Sequence, residues 1–259
     1  MTDPARSGSN RPRPPDSPLP ARDVAPTDGG FAVVEMFTSQ GCSSCPPAEE
    51  VLTEIERDAR RRGEPVFALG FHVDYWDDLG WPDRFADEAY TARQEAYARA
   101  FGSRGLYTPQ MVVNGTVEFV GSDRRTAATA IASALTSAAT TPLALSVQDA
   151  AGGTAGGHRV VVDYQTERPP ERAVVNVAIV ERGLVSDVAR GENAGRTLRQ
   201  DNVVRAFTSV GLDAERGRVE LELPSDLDPR QASVVGYLQN DGDKAIVGAA
   251  AVDVSAEPG

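Results

Sequence analysis

The chain has 259 residues, with 26 basic against 38 acidic side chains (net charge −12), 41% hydrophobic and 25% charged residues. That length allows one or two domains with a genuine core, and the composition is that of a globular chain. The acidic balance disfavours nucleic acid, no stretch approaches the ~20 apolar residues of a membrane helix, and one lysine (Lys244) with two histidines (His72, His158) excludes both a GxxxxGK[ST] loop and an HExxH zinc site.

Residues 1–28 read as a disordered tail, with Pro12, Pro14, Pro15, Pro18 and Pro20 set among Ser, Asp and Arg and no apolar period. No apolar h-region of ~7–15 residues follows a basic start, so the chain as written is expected in the cytoplasm. Residues 31–37 form an apolar run, interrupted by Glu35, that reads as a strand buried on both faces. A turn leads to Pro46-Pro47, which suit a first helical turn, and Val51, Leu52, Ile55 and Ala59 then share one helix face until Gly63. Residues 66–73 are a second buried-type strand, followed by an acidic, aromatic loop and a helix at about 85–101. Two strands, 110–114 and 116–120, are split by Asn114-Gly115, a type I′ hairpin signal. An alanine-rich helix runs from Ser122-Asp123 to about Ser137. This succession predicts a mixed sheet with helices on both faces over residues 29–140. From Thr141-Pro142 the texture is all strand, at 143–148, 159–165, 173–180, 198–207, 218–223, 233–238 and 245–254. Turn signals between them predict a β-sandwich of roughly seven strands over residues 141–255.

The two cysteines, Cys42 and Cys45, form a single C-x-x-C. A disulfide scaffold would carry more cysteines farther apart, and a four-thiolate zinc site has no second pair here. At a strand-to-helix junction, the free N–H groups and positive dipole end of the helix stabilise a thiolate, lowering a thiol from ~8.5 toward ~3.5–7.5. Cys42, at the exposed helix entrance, is the expected nucleophile, and Cys45 the resolving thiol. Ser43 and Ser44 add hydroxyl donors without charge. His72, Tyr75, Trp76 and Trp81 leave the carboxyl end of the second strand, where ligands gather in open α/β sheets. His72 is a candidate for moving a proton or steadying the Cys42 thiolate, and the aromatic rings for an apolar substrate wall; packing of the loop is the alternative. Arg190, Arg196, Arg199 and Arg205 are read as solvated charges on an exposed hairpin, the alternative being a surface for an acidic partner.

Residues 31–140 resemble the thioredoxin superfamily, in which C-x-x-C opens the first helix and a cis-proline faces it. Thr108-Pro109 stands where that proline belongs, and the resemblance implies that the backbone beside it pairs with the substrate. It also implies a buried acid beneath the cysteines, for which Glu35 is the candidate, the alternative being a Glu35 that reaches solvent. A closer resemblance rests on four segments together: 37–47 (FTSQGCSSCPP), 71–77 (FHVDYWD), 107–113 (YTPQMVV) and 191–198 (GENAGRTL). These are similar to the bacterial family called domain of unknown function 1223, whose members are thioredoxin-like, often exported, and without an established substrate. The resemblance leaves a periplasmic or secreted location open. The reading is an α/β thioredoxin-like domain followed by an all-β sandwich, acting as a thiol–disulfide oxidoreductase. Its expected catalytic residues are Cys42, Cys45, Pro109 and Glu35, with Thr108, His72, Tyr75 and Trp76 on the substrate side. No cofactor or metal is required; the expected partners are a protein or small-molecule thiol or disulfide and a redox recycling partner. The alternatives are Cu(I) or Zn binding by Cys42, Cys45 and His72, or a structural disulfide in a partner-binding protein.

Overall fold

The computed structural model describes residues 23–24, 29–137, 141–150, 158–167 and 169–254. Of the expected tail, all but Asp23–Val24 lies outside the described residues; those two form β1. Then follow β2 (Ala32–Thr38), α1 (Pro46–Arg62), β3 (Val66–His72), a 3-10 helix (Asp74–Leu79), α2 (Glu88–Phe101), β4 (Gln110–Val113), β5 (Val117–Val120) and α3 (Arg124–Thr136). Strands dominate the rest: β6 (Leu143–Ala150), β7 (His158–Thr166), β8 (Ala173–Glu181), β9 (Leu184–Asp187), β10 (Thr197–Gln200), β11 (Val203–Gly211), β12 (Arg216–Leu223), β13 (Ala232–Asn240) and β14 (Ile246–Asp253).

Local chemistry sets the boundaries. Pro46 and Pro47 occupy the first turn of α1, where no intrahelical N–H partner is lost, and Gly63 closes it at φ 67°. α2 starts at Glu88, later than the sequence pattern predicts, because the Asp87 carboxylate accepts from the Ala89 N–H at 2.8 Å and caps the helix there. Asn114 and Gly115 have φ values of 47° and 70°, the two positive angles a type I′ turn requires, and Thr116 N–H closes it onto Val113 O. The single expected strand at 198–207 is broken into β10 and β11, with Asn202 between them at φ 58°.

The expected arrangement of a thioredoxin-like α/β domain followed by a separate β-sandwich is not what the chain forms. One nine-stranded sheet, in the order β1-β14-β13-β8-β11-β3-β2-β4-β5, takes strands from both halves of the sequence. β2 runs parallel to β3 and antiparallel to β4, as a hairpin-bearing mixed sheet should. The outer edge of β3, however, is not left open. β11 joins it in parallel at Val203↔Gly70, and the Gly70 N–H donates to Asn202 O at 2.7 Å. An unpaired edge is a row of unsatisfied donors and acceptors, and β11 removes that liability within the chain. β8, β13 and β14 then extend the sheet antiparallel. Their near-continuous apolar runs fit this position, since β8 and β13 are buried almost throughout. A second, three-stranded sheet, β12-β7-β6, packs Val160 and Val162 against Val175, Val177 and Ile179 of β8.

The alternation of β2 assigns its side chains. Val34 and Met36 face Val51 and Leu52 of α1, whereas Val33 and Phe37 face Tyr90 and Tyr97 of α2. No helix among the described residues is long and apolar enough to cross a membrane.

Candidate functional site

Cys42 and Cys45 are joined as a disulfide, with their Cα atoms 5.4 Å apart. The turn that brings them together is closed by Cys42 N–H on Ser39 O and Cys45 N–H on Cys42 O, both at 3.2 Å. The Ala48 and Glu49 N–H groups then start α1 on Cys45 O. The expected exposed entrance is corrected: Cys42 and Cys45 are both 0% exposed, and only Ser43 and Ser44 of the motif reach solvent. The turn between β9 and β10 holds this loop from outside. The Asn193 side-chain amide donates to Gln40 O and Cys42 O at 2.9 Å each, and the Glu192 carboxylate accepts the Ser43 N–H at 3.0 Å.

Several of the expected site residues do converge. Ser44 Oγ lies 3.3 Å from Cys42 Sγ and 3.5 Å from Thr108 O. The Thr108-Pro109 bond is cis. Trp76 Nε1 donates to Thr108 Oγ1 at 2.9 Å, tying the aromatic loop to the same spot. Pro109 also meets α1 at Gly121, where a Cβ would stand 3.2 Å from Ala48 Cβ and 3.3 Å from Pro109 Cβ. Tyr75 donates to Gln94 Oε1 at 3.2 Å and also meets the Thr108 side chain, and burial pushes its phenol up to about 12 against both hydrogen bonds.

Glu35 is not beneath the cysteines. It lies on the α2 face of β2, opposite α1, and is fully buried against Arg93 at 2.7 Å and the hydroxyls of Tyr97 and Tyr237. An alternating strand sends residue 35 to the face opposite 34 and 36, so neither of the two sequence readings of Glu35 describes it. Arg205, read as solvated, is instead half-buried and paired with Glu181 and Asp226.

The acid on the cysteine side of the sheet is Glu49, one turn into α1, which sequence reasoning missed. It accepts from Thr38 Oγ1 at 2.8 Å and Gln200 Nε2 at 3.2 Å, and burial raises its carboxyl pKa despite those bonds and the nearby His72. Glu49 and Glu50 look alike in sequence; β10 closing over α1 buries one and leaves the other exposed. Beside it, Gln40 links Gln200, Ser186 and Trp81 through its side chain, and its backbone N–H donates to Asp83 at 2.7 Å. Asp83 also holds His72 Nδ1 at 2.6 Å. Both cysteines are in the disulfide and His72 is engaged by Asp83, so the Cys42–Cys45–His72 metal set is not assembled; among the described residues no cluster of three His, Cys, Asp or Glu could hold a metal ion.

The His72–Asp83 pair makes stability depend on pH with a definite sign. Burial opposes the charge on His72, but the adjacent Asp83 carboxylate overrides it and raises the imidazole above 6.5. Burial likewise opposes Asp83, whose carboxyl His72 nevertheless holds below 3.8. The Asp83 contribution is present above about pH 3.8 and lost below it; that of His72 is present below about pH 6.5 and lost as pH rises through its folded value. Glu49, raised by burial, also loses stability as pH rises. The melting temperature is therefore expected to fall from pH 6.5 toward alkaline pH. Asp83→Asn should flatten that slope while lowering stability near pH 6; thermal melts across pH 5–9 with an unchanged slope would contradict the pairing.

A model of the family described as a protein of unknown function (DUF1223) matches residues 33–239. The crystal structure of protein AGR_C_4864 from Agrobacterium tumefaciens is similar at a TM-score of 0.63 and 30% identity, over 90% of this chain and 98% of that one. HBP35 of Porphyromonas gingivalis is similar in fold alone, with a TM-score of 0.61 at 12% identity, over 90% of this chain and 78% of that one. No curated protein matches the chain. Because the family model spans most of the chain and the Agrobacterium protein is 30% identical over nearly its whole length, the chain belongs to the DUF1223 family of proteins of unknown function.

Proposed function

We propose that Cys42–Cys45 is a redox-active disulfide that exchanges with the thiols or disulfides of a substrate. In the direction of substrate oxidation, a substrate thiolate attacks Cys42 Sγ, the S–S bond breaks, and Cys45 leaves as thiolate and takes a proton. A second substrate thiolate then attacks its own half of the mixed disulfide and releases Cys42. Two electrons pass to the protein, and an oxidant must recycle it; the reverse direction requires a dithiol reductant.

The observation that carries this reading is the position of the disulfide. It sits against the first turn of α1, where Cys45 O accepts the Ala48 and Glu49 N–H groups and Ser44 Oγ stands 3.3 Å from Cys42 Sγ. A helix start with a neighbouring hydroxyl donor favours a thiolate. As a staple the bond would do little: a loop of four residues is worth only about 2 kcal/mol in the chain-entropy treatment, against ~4.7 for a loop of 100. That loop is also already held by Asn193, Glu192 and Asp83. The burial of both sulfurs favours the second reading, a passive disulfide.

Equilibration of the full-length protein in dithiothreitol redox buffers separates the two. Exchange chemistry expects a reversible midpoint above about −300 mV with the fold retained in the reduced state. A midpoint below that value, or unfolding on reduction, would identify a passive bond.

A further inference from the structure

We propose that Glu192 and Asn193 form a strap that stabilises the Cys42–Cys45 disulfide over the dithiol and must be released before a thiol can reach Cys42. This rests on the redox reading above and adds to it the residues that set the reactivity of the pair.

The strap is fastened at three backbone points within the stretch 40–43: Gln40 O and Cys42 O through the Asn193 amide, and the Ser43 N–H through the Glu192 carboxylate. Asn193 is 0% exposed, and its Oδ1 accepts from Arg196 Nη1 at 2.9 Å, so the carboxamide is satisfied on both sides and fixed in orientation. Attack on a disulfide needs a clear line to the sulfur, and Cys42, whose carbonyl this clamp holds, has no exposed surface.

Glu192 acts differently. A thiolate at Cys42 would draw on the adjacent amide N–H groups of its own turn, and Ser43 carries the first of them. While Glu192 holds that donor, the thiolate loses it and meets a carboxylate instead. The Ser43 hydrogen bonds also hold the Glu192 carboxyl below its ordinary range, so it is a carboxylate at neutral pH. The other charged groups packed beneath the loop are Glu49 of α1, His72 of β3 with Asp83 and Asp77, and Arg196 in the strap. Among these, Glu192 is the one bonded to the cysteine loop at the residue following Cys42.

The seat of the strap is glycine on glycine. Gly191, at φ 76°, lies against Gly80 and Trp81: a Cβ at position 191 would stand 3.1 Å from Trp81 Cβ, and one at position 80 would stand 3.4 Å from Gly191 Cα. A side chain at 191 is both strained and crowded against Trp81, so Gly191→Ala is expected to loosen the seat of the strap without touching Glu192 or Asn193.

The experiment uses the oxidised full-length protein and three variants, Glu192→Gln, Asn193→Ala and Gly191→Ala, with thermal melts to confirm folding. Asn193→Ala and Gly191→Ala are expected to speed reduction by dithiothreitol about tenfold. Glu192→Gln is expected to shift the equilibrium with dithiothreitol toward the dithiol by three- to tenfold, the upper figure being about 30 mV. It should also lower the pH at which reduced Cys42 becomes reactive to iodoacetamide, whereas Glu222→Gln, at an exposed position of β12, should change neither. Folded variants with wild-type rates and equilibria would overturn the strap while leaving the redox reading intact. A wild-type disulfide that dithiothreitol cannot reduce reversibly, and that stays so in Gly191→Ala, would overturn both. If one variant fails to fold, the other two decide.

Discussion

Arg93→Met should destabilise the protein by about 3–5 kcal/mol, the usual cost of leaving a buried charge without its partner. Glu35 is fully buried, and Arg93 supplies its counter-charge at 2.7 Å. Burial opposes the guanidinium charge, but Glu35 and the surrounding hydroxyls more than compensate and keep Arg93 protonated. The guanidinium also lies 5.1–5.6 Å from the ring centres of Phe71, Tyr97, Phe207 and Tyr237. These rings come from β3, α2, β11 and β13, so the network fastens the two halves of the sequence together. Replacing Glu35 and Arg93 together by apolar residues should cost much less than Arg93→Met alone, because no unpaired charge remains. Urea melts of the two single variants and the double variant measure the coupling. A double variant as unstable as the sum of the singles would contradict this account.

Cys42→Ser should lower disulfide exchange by about two orders of magnitude or more, to the uncatalysed background, because a hydroxyl cannot replace a thiolate as nucleophile. Its effect on the melting temperature should be small, since the lost bond closes only four residues and Asn193, Glu192 and Asp83 still hold the loop. The contrast with Arg93→Met is itself informative: one change removes chemistry and spares the fold, while the other weakens the fold from a site on the far face of β2. The readouts are turnover of a peptide disulfide with dithiothreitol as recycler, and a thermal melt of each variant.

The local elements were legible because their signals are local. Pro46-Pro47, Gly63 and Asn114-Gly115 mark chain reversals and helix ends through backbone angles that few residues favour. The pairing of Cys42 with Cys45 beside Thr108-Pro109 could likewise be read from spacing and resemblance. The sheet could not. Nothing in the Val203 region announces that it will pair with Gly70, more than 130 positions earlier, because parallel edge pairing leaves no short-range pattern. The same gap hid the acid Glu49 and the role of the 191–198 segment: Glu192 and Asn193 stand out by resemblance, but their contacts with the cysteine loop exist only once β9 and β10 fold over α1. Glu35 was placed beneath the cysteines by resemblance to the superfamily, whereas the alternation of β2 sends it to the α2 face, against Arg93.

The central claim, that Cys42 is the sulfur that exchanges, is tested most directly by trapping. Reduced Cys45→Ser protein mixed with oxidised glutathione should accumulate a mixed disulfide on Cys42, read by mass spectrometry of the intact chain and its peptides, because no resolving thiol remains to release it. Cys42→Ser should form the corresponding adduct on Cys45 far more slowly. Equal rates in the two folded variants, or no adduct on Cys42 at all, would contradict the account.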